Sequence, residues 1–182
     1  MFKRFTQEES VSSSSQTKSS VQRSIRAKII EQFPLLEPYL DDILPKKSDF
    51  KVAKCVNRIS LVCHGDEPLF FQERDGPFFP TLRLVHRYPC LWPVMQVDQG
   101  AIRFVLNGAN IMCQGFTSAG GAMPEEFPAN TAVIIMAEGK KHPLAIGLTK
   151  LSTQEIRQQN SGIGVENIHY LNDGLWLTPT LD

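Results

Sequence analysis

Residues 97–115 read VDQGAIRFVLNGANIMCQG, and this stretch decides how the second half of the chain folds. A short helix is predicted to begin near Asp98, whose carboxylate would cap its free amide groups, with Gly100-Ala101 small enough for close packing. Asn107-Gly108-Ala109 then predicts a tight turn into a strand. Such an edge, bare of bulky side chains, lets the phosphates of a ligand approach backbone amides. The simpler alternative is that the glycines only satisfy turns.

Around that stretch, short apolar or alternating runs between Gly-rich turns predict a barrel or sandwich of strands. The runs are Ala101–Leu106, Ile111–Cys113, Thr131–Met136, Leu144–Leu148 and Gly174–Leu177. The first run overlaps the helix predicted from Asp98, so the sequence supports both a helix and a strand there. A further helix is predicted from Ser152 to Gln159, because Ser152 and Glu155 are spaced as a capping box.

The first half changes from helical to strand-like periodicity. Four apolar residues recur every four positions from Val21 to Phe33 and predict an amphipathic helix over about residues 18–33. Pro34 ends this helix. The Ser-rich segment 11–20, on the N-terminal side of the helix, is predicted to be a mobile surface segment. The remaining predicted elements are a short helix over Leu35–Leu44, strands over Lys51–Val56, Ile59–Cys63 and Pro68–Arg74, and a helix from the cap Thr81 to Tyr88.

The net charge changes sign at the same place along the chain at which the sequence pattern changes. Residues 1–92 carry 14 basic and 11 acidic side chains, a net charge of +3, whereas residues 93–182 carry 5 and 8, a net charge of −3. Two prolines, Pro89 and Pro93, bracket the boundary and disfavour a continuous helix there. We therefore predict an α+β protein with a mixed N-terminal domain, 1–92, and a strand-rich C-terminal domain, 93–182.

Composition excludes several classes of protein. The 182 residues balance 19 basic against 19 acidic side chains, so the whole chain does not attract nucleic acid by net charge. No apolar run approaches the roughly 18 residues of a membrane span, and the charged N-terminus is unlike a signal peptide. We therefore expect a cytoplasmic protein that binds neither membranes nor DNA.

No catalytic motif is present. The cysteines at positions 55, 63, 90 and 113 lack metal-binding spacing and are predicted to be buried structural thiols. The four histidines are far apart in sequence, and no nucleophile elbow, P-loop or dinucleotide fingerprint is complete. We therefore expect no enzyme activity, no metal and no cofactor.

The pattern Asp98-x-Gly100-Ala101-x3-Val105-x2-Gly108-Ala109 resembles the opening of the PUA domain, an RNA-binding module. Further motifs are similar to those of one family, the malignant T-cell-amplified sequence proteins. They are Met1–Phe5, Ile30–Pro34, Leu44–Lys47, Glu73–Leu84, Ala137–Lys140, Ala145–Gly147 and Ser161–Trp176. The resemblance covers nearly the whole chain. The chain departs from the usual pattern at Gln114, where proline is usual, and at Ser161, where a basic residue is common.

The resemblance implies a PUA β-barrel at the C-terminus and a non-enzymatic translation factor. Family members pair with the density-regulated protein, bind the small ribosomal subunit and act with the acceptor end of tRNA in reinitiation and ribosome recycling. By resemblance, the PUA surface would hold the RNA end, and the N-terminal half would serve protein and ribosome contacts. The RNA-binding residues so implied are Gly100, Ala101, Arg103, Gly108, Ala109, Asn110, Lys140 and Lys141.

The acidic balance of the second half limits how it binds RNA. With five cations in residues 93–182, its contacts are expected to be few and based on shape. Stable association is therefore predicted to need the basic half or a protein partner. Two alternatives remain open: a protein-binding adaptor whose PUA fold has lost RNA contact, and an accessory that guides RNA to a modifying enzyme.

Overall fold

A computed structural model describes all of residues 1–182 as two five-stranded sheets with seven short α-helices. The strands are β1 Val11–Gln16, β2 Phe50–Cys55, β3 Ile59–His64, β4 Glu67–Glu73, β5 Phe78–Pro80, β6 Val94–Val97, β7 Ile111–Met112, β8 Ala132–Ala137, β9 Ala145–Thr149 and β10 Ile163–Tyr170. The helices are α1 Gln7–Ser10, α2 Ser19–Gln32, α3 Leu40–Ile43, α4 Leu82–Arg87, α5 Ile102–Val105, α6 Cys113–Thr117 and α7 Thr153–Gln159. None of them has both the length and the apolar character needed to cross a bilayer.

The first sheet is an antiparallel meander in the order β1-β2-β3-β4-β5. Helix α2 packs on it with only part of its predicted apolar stripe: Ile29 and Phe33 are buried, but Val21 is 43% exposed. A four-residue spacing overshoots the 3.6-residue helical turn, so the stripe drifts around the helix and leaves the core at its N-terminal end. The predicted helix over 35–44 is instead a 3₁₀ turn, Pro34–Tyr39, followed by α3.

The second sheet has the order β6-β8-β9-β10-β7 and curls into a half-barrel. Its strands β8, β9 and β10 are antiparallel neighbours, while β6 pairs with β8 in parallel. Helix α7 begins at the predicted capping box, in which Ser152 accepts from the Glu155 amide and the Glu155 carboxylate accepts from the Ser152 amide. The α+β class and the C-terminal barrel agree with the prediction.

One apolar core runs through both halves of the chain. Ile134 and Ile146 of the second sheet belong to the same buried cluster as Phe2, Phe71 and Leu82 of the first half. Hydrogen bonds also cross the joint, the contact region between the two halves. The backbone amide of Leu82 donates to Nε2 of His169, and Nδ1 of that ring lies 2.7 Å from Asp173. The two halves are therefore joined by packing and hydrogen bonds.

One mobility prediction and two strand predictions from the sequence are wrong. The Ser-rich segment is not a mobile stretch: Ser12–Ser15 lie in strand β1, which pairs with β2 and exposes its serine side chains. Gly174–Leu177 is a turn, because both carboxylate oxygens of Asp173 accept backbone amides and end strand β10. Ala101–Leu106 is helical, because Asp98 caps its first turn, so the helix alternative is confirmed and the strand alternative is wrong.

The cysteines divide into two groups. Cys55, Cys63 and Cys113 are buried as predicted, and burial raises the pKa of Cys55 to about 11 and that of Cys63 to about 12. Such thiols stay protonated and unreactive at neutral pH. Cys90 contradicts the prediction of a buried thiol, because it lies exposed in the link between α4 and β6.

Candidate nucleic-acid interface

A cleft of about 600 Å³ opens beside helix α5 on the second half of the chain. It is lined by apolar and small polar side chains, with one carboxylate and no cation. The lining residues are Asp98, Gly100, Ala101, Phe104, Val105, Ala109, Asn110, Ile111, Met112, Gln114, Gly115 and Ser118. The floor is buried at Val105 and Ile111, while Phe104 and Met112 stand at the rim.

Asp98 builds one end of the cleft. Its Oδ1 accepts the backbone amide of Ala101 at 2.9 Å and caps the first turn, and its Oδ2 accepts the hydroxyl of Ser118. The Asp98 amide donates to the carbonyl of Gly115 at 3.1 Å, which ties this end to helix α6. The carboxylate is therefore committed to internal bonds.

Gly108 forms the turn at the other end. Its φ is +87°, and a Cβ there would lie 3.0 Å from the hydroxyl of Tyr170, so both conformation and space require glycine. The amides of Gly108 and Ala109 donate to the carbonyls of Val105 and Phe104, at 2.9 and 3.0 Å. The protons of these two amides therefore already close the helix C-terminus and are not free for a phosphate. Gly108 has the simpler role of satisfying a turn.

Asn167 holds this turn from below. Its Nδ2 donates to the carbonyls of Val105 and Ala109, at 3.0 and 3.1 Å, and its backbone amide donates to Oδ1 of Asn110 at 3.0 Å. The side chain is buried, and its Oδ1 has no hydrogen-bond partner. Three bonds from one strand residue thus fix the position of Ala109 and Asn110 at the cleft.

The rim presents an aromatic platform. The ring of Phe104 is 53% exposed, and the guanidinium of Arg103 lies over it at 4.7 Å from the centroid. Met112 is 49% exposed and is paired across the sheet with Ile163, which is also exposed. Aromatic rings and guanidinium planes are the groups on which unpaired bases stack in single-stranded RNA recognition.

Lys140 and Lys141 lie outside the lining of the cleft. They follow Gly139, where a Cβ would lie 3.8 Å from Nε2 of Gln99, and the carboxylate of the preceding Glu138 accepts the Gln99 backbone amide at 3.1 Å. Both lysines are exposed in the turn between β8 and β9. The turn is therefore anchored near the Asp98 end of the cleft, with its two cations in solvent.

The structure brings together some of the predicted RNA-binding residues. Gly100, Ala101, Ala109 and Asn110 line the cleft, whereas Gly108 shapes the turn and Arg103 covers the platform. Three lining residues, Phe104, Met112 and Ser118, were not among the predicted RNA-binding residues. The helical position of Phe104 and the strand position of Met112 resemble ordinary core positions, and only their exposure in the fold distinguishes them.

Two domain families match the chain. Residues 5–89 match the Pre-PUA-like domain, and residues 93–171 match the PUA domain. The second match contains the whole cleft.

Curated relatives cover nearly the full length. The Malignant T-cell-amplified sequence 1 homolog of Drosophila melanogaster is 55% identical over 179 residues, 97% of each chain. Malignant T-cell-amplified sequence 2 of Homo sapiens is 51% identical over 178 residues, again 97% of each chain. The Malignant T-cell-amplified sequence 1 homolog of Dictyostelium discoideum is 49% identical over 182 residues and all of both chains.

Two archaeal structures share the two-domain fold. A hypothetical protein from Pyrococcus horikoshii matches with a TM-score of 0.75 at 24% identity, covering 92% of this chain and 99% of that one. A conserved PUA domain protein from Thermoplasma acidophilum matches with a TM-score of 0.63 at 20% identity and the same coverage. At these identities the likeness shows the fold alone.

Proposed function

Because the chain belongs to the malignant T-cell-amplified sequence family, we propose that it is a non-enzymatic translation factor acting in reinitiation and ribosome recycling. The family and the PUA domain support the coarser assignment, an RNA-binding, translation-related protein. The finer proposal is that it works in the cytoplasm as a heterodimer with a density-regulated protein homologue. In that complex it would bind the small ribosomal subunit and the acceptor end of tRNA.

The exposed platform of Phe104 beside Arg103 carries the proposal. A cleft of about 600 Å³ has room for terminal nucleotides but not for a duplex, and its rim offers one aromatic face for stacking. The lining has no cation and one carboxylate, so phosphates are not drawn into it. A single-stranded 3′ end, with bases inside and phosphates outside, matches that distribution.

A binding role also fits the chemistry of the cleft better than catalysis does. Asp98 is the one acidic side chain in the lining, and both of its oxygens already accept hydrogen bonds from Ala101 and Ser118. A carboxylate so engaged is poorly placed to accept a proton from a substrate.

Ala109→Asp tests the cleft in the full chain. Ala109 is exposed and its side chain makes no core contact, so the variant is expected to fold, but its carboxylate would oppose RNA at the lining. Like-charge repulsion is expected to weaken binding of an RNA hairpin with an unpaired 3′ CCA end by about tenfold or more. Ser13→Asp adds the same charge to the exposed face of strand β1 and is the matched control.

Fluorescence anisotropy measures the binding, and circular dichroism confirms folding. If Ala109→Asp folds and binds the hairpin as the unchanged protein does, the cleft is not the RNA site. Sedimentation through sucrose gradients at near-physiological salt tests the proposed binding to the small ribosomal subunit. Migration of the protein with small subunits supports that binding, whereas migration only with light proteins after crosslinking contradicts it.

One observation favours a second candidate, the protein-binding adaptor. Phe104, Met112 and Ile163 are exposed apolar residues on one edge of a half with a net charge of −3. Such a surface suits a protein partner as well as a base. Normal partner binding by Phe104→Ala together with lost RNA binding would exclude the adaptor as the role of this edge.

A further inference from the structure

We propose that the N-terminal half carries a second RNA contact, a basic groove on helix α2 that binds the phosphodiester backbone of structured RNA. The groove has a volume of about 630 Å³. Every lining side chain is polar or charged, four are cations, and none is acidic. They are Gln16, Thr17, Ser19, Gln22, Arg23, Arg26, Lys46, Lys47 and Ser48. The inference rests on the proposed RNA-binding function and adds a site to it.

Helix geometry brings one wall of the groove together. Ser19, Gln22, Arg23 and Arg26 are spaced at i, i+3, i+4 and i+7, so they share one face of helix α2. Ile25 and Ile29, which pack this helix on the core, lie on a different face. The groove wall is therefore a polar flank of the helix, on which Arg23 is exposed while Gln22 and Arg26 are half-buried.

The loop after α3 forms the opposite wall, and two contacts hold it in place. The guanidinium of Arg26 donates to the carbonyl of Leu44 and pairs with Asp41. The amide of Thr17 donates to the carbonyl of Phe50 at 3.1 Å, which fixes the other end of the loop beside the start of α2. Lys46 and Lys47 are thereby placed across from Arg23.

The charge of three cations is free for a ligand. Arg26 is committed to Asp41 and Leu44, but Arg23 and Lys47 have no ion pair, and Lys46 reaches Asp41 only at 4.0 Å with both side chains largely exposed. An exposed pair at that distance contributes little. The groove therefore presents about three uncommitted positive charges. The hydroxyls of Thr17 and Ser48 and the side-chain amides of Gln16 and Gln22 already donate within the chain and hold its walls.

This composition matches the RNA backbone. Arginine, lysine, serine, threonine and glutamine are the side chains that contact phosphate and sugar oxygens without reading sequence. The absence of apolar and aromatic lining residues argues against a peptide anchored by hydrophobic side chains and against stacked bases. The PUA half carries a net charge of −3, so phosphate binding has to come mainly from cations elsewhere in the chain.

The test neutralises the three free cations in the full chain as Arg23→Gln, Lys46→Gln and Lys47→Gln. All three side chains are exposed, and Arg26 is kept because it holds the loop. The control is Lys3→Gln, Arg4→Gln and Lys54→Gln, which removes the same one arginine and two lysines from exposed positions in the same half that lie outside the groove.

The readout is the anisotropy of the labelled hairpin with an unpaired 3′ CCA end, measured from about 50 to 200 mM salt. The groove variant is expected to bind about tenfold or more weakly and to flatten the slope of log affinity against log salt by about 2 to 3, roughly 0.7 to 0.9 for each lost phosphate contact. The control is expected to change the slope by less than the amount that corresponds to about one phosphate contact. Ala109→Asp adds a single charge, so it is expected to weaken binding while changing the slope by no more than the amount that corresponds to about one phosphate contact.

Equal slopes for the groove variant and its control overturn the proposal, because the effect would then be one of net charge. Unchanged RNA binding by the groove variant also overturns it, and with Ala109→Asp still defective it leaves the proposed function standing. Loss of binding to poly-glutamate with RNA binding intact assigns the groove to an acidic protein and likewise overturns it. Failure of the unchanged chain to bind the hairpin at any salt contradicts the proposed function itself.

Discussion

The cleft on the PUA half and the groove on helix α2 are similar in size and opposite in chemistry. The cleft of about 600 Å³ is lined by apolar rim residues such as Phe104 and holds no cation. The groove of about 630 Å³ holds four cations and no apolar side chain. A nucleic acid has both kinds of surface, since its bases are flat and its backbone is charged.

The recognition of RNA by shape and by charge is therefore proposed to come from separate halves of this chain. Placing cations in the cleft would draw phosphates of any RNA into it, and placing apolar residues in the groove would remove its tolerance for sequence. In the proposed arrangement, the cleft would select an RNA end while the groove would set affinity and salt dependence. The proposed sites predict that variants in each half fail in different ways.

The largest expected effect comes from separating the halves. Ile134, Ile146 and Leu175 are buried in the same core as Phe2 and Leu82, so a fragment of residues 93–182 exposes them. At roughly 1.5–3 kcal/mol for each exposed aliphatic side chain, the loss approaches the roughly 5–15 kcal/mol that holds a domain folded. Thermal melts followed by circular dichroism are expected to show no cooperative transition for the fragment.

Adding residues 1–92 as a second polypeptide is the control, since it restores the missing side of the core. A fragment that melts cooperatively near the temperature of the full chain would show that the shared core is dispensable. The two sites would then be testable in isolation, which the observed packing argues against.

The next effect concerns the shape of the cleft. Gly108→Ala forces a positive φ on alanine and places its Cβ against Tyr170, at an expected cost of about 2–3 kcal/mol in the free energy of unfolding. Gly162→Ala is the matched control, because Gly162 also has a positive φ but its Cβ would meet only the end of Gln159 at 3.6 Å. That control is expected to cost about 1 kcal/mol.

Urea unfolding of both variants gives the two free energies. Equal losses would mean that Tyr170 yields and that only backbone strain matters at Gly108. The larger loss at Gly108 is expected to be accompanied by weaker binding of the 3′ end at every salt concentration.

The sequence predicted the elements whose signals are local. The capping box at Ser152, the cap at Thr81 and the Asp98 cap all lie where expected, because each depends on residues within one turn. The four serines of strand β1 carry no apolar pattern, and the strand is ordered by pairing with β2, whose partner residues are 35 to 44 positions away. Gly174–Leu177 was misassigned because Asp173 captures its amides.

The two sites show the same contrast between local sequence signals and long-range contacts. The residues 97–115 pointed to the cleft, since most of its lining is consecutive in sequence. The groove is not visible in sequence, because Arg23 and Lys46 are 23 positions apart and the folding of α2 against the loop after α3 brings them together. Exposure decides which of Phe104 and Val105 is a rim residue, and periodicity over a four-residue helix cannot.

A smaller effect tests stacking in the cleft. Phe104→Ala removes the aromatic platform and is expected to weaken binding of the unpaired 3′ end by about tenfold, since a stacked base contributes about 1–3 kcal/mol. The salt slope is expected to stay unchanged, in contrast to the groove variant. Leu177→Ala, which truncates an apolar side chain that is 66% exposed and outside the cleft, is the control for anisotropy titrations. A flattened slope for Phe104→Ala would contradict the separation of shape from charge.

The smallest expected effect is on the pH dependence of stability, at the joint between the two halves that carry the cleft and the groove. His86 on α4 stacks on His142 of the second half at 5.3 Å and lies 3.2 Å from the carbonyl of Pro143. Burial lowers the pKa of His86, and the nearby His142 and Arg83 lower it further, although the Pro143 carbonyl opposes them. Between that lowered pKa and the ordinary 6.5, the unfolded chain binds more protons than the folded one. Stability is therefore expected to fall as the pH drops through this window.

His86→Phe keeps a flat ring in the joint and removes the titrating group. The unchanged chain is expected to lose more free energy of unfolding than this variant when urea titrations are repeated at pH 7.5 and 5.5. His64→Phe, on strand β3 away from the joint, is the control and is expected to follow the unchanged chain. An equal pH dependence in the unchanged chain and His86→Phe would show that the joint is insensitive to protonation. The relation between the two sites would then be fixed by the apolar core alone, across the pH range in which histidines titrate.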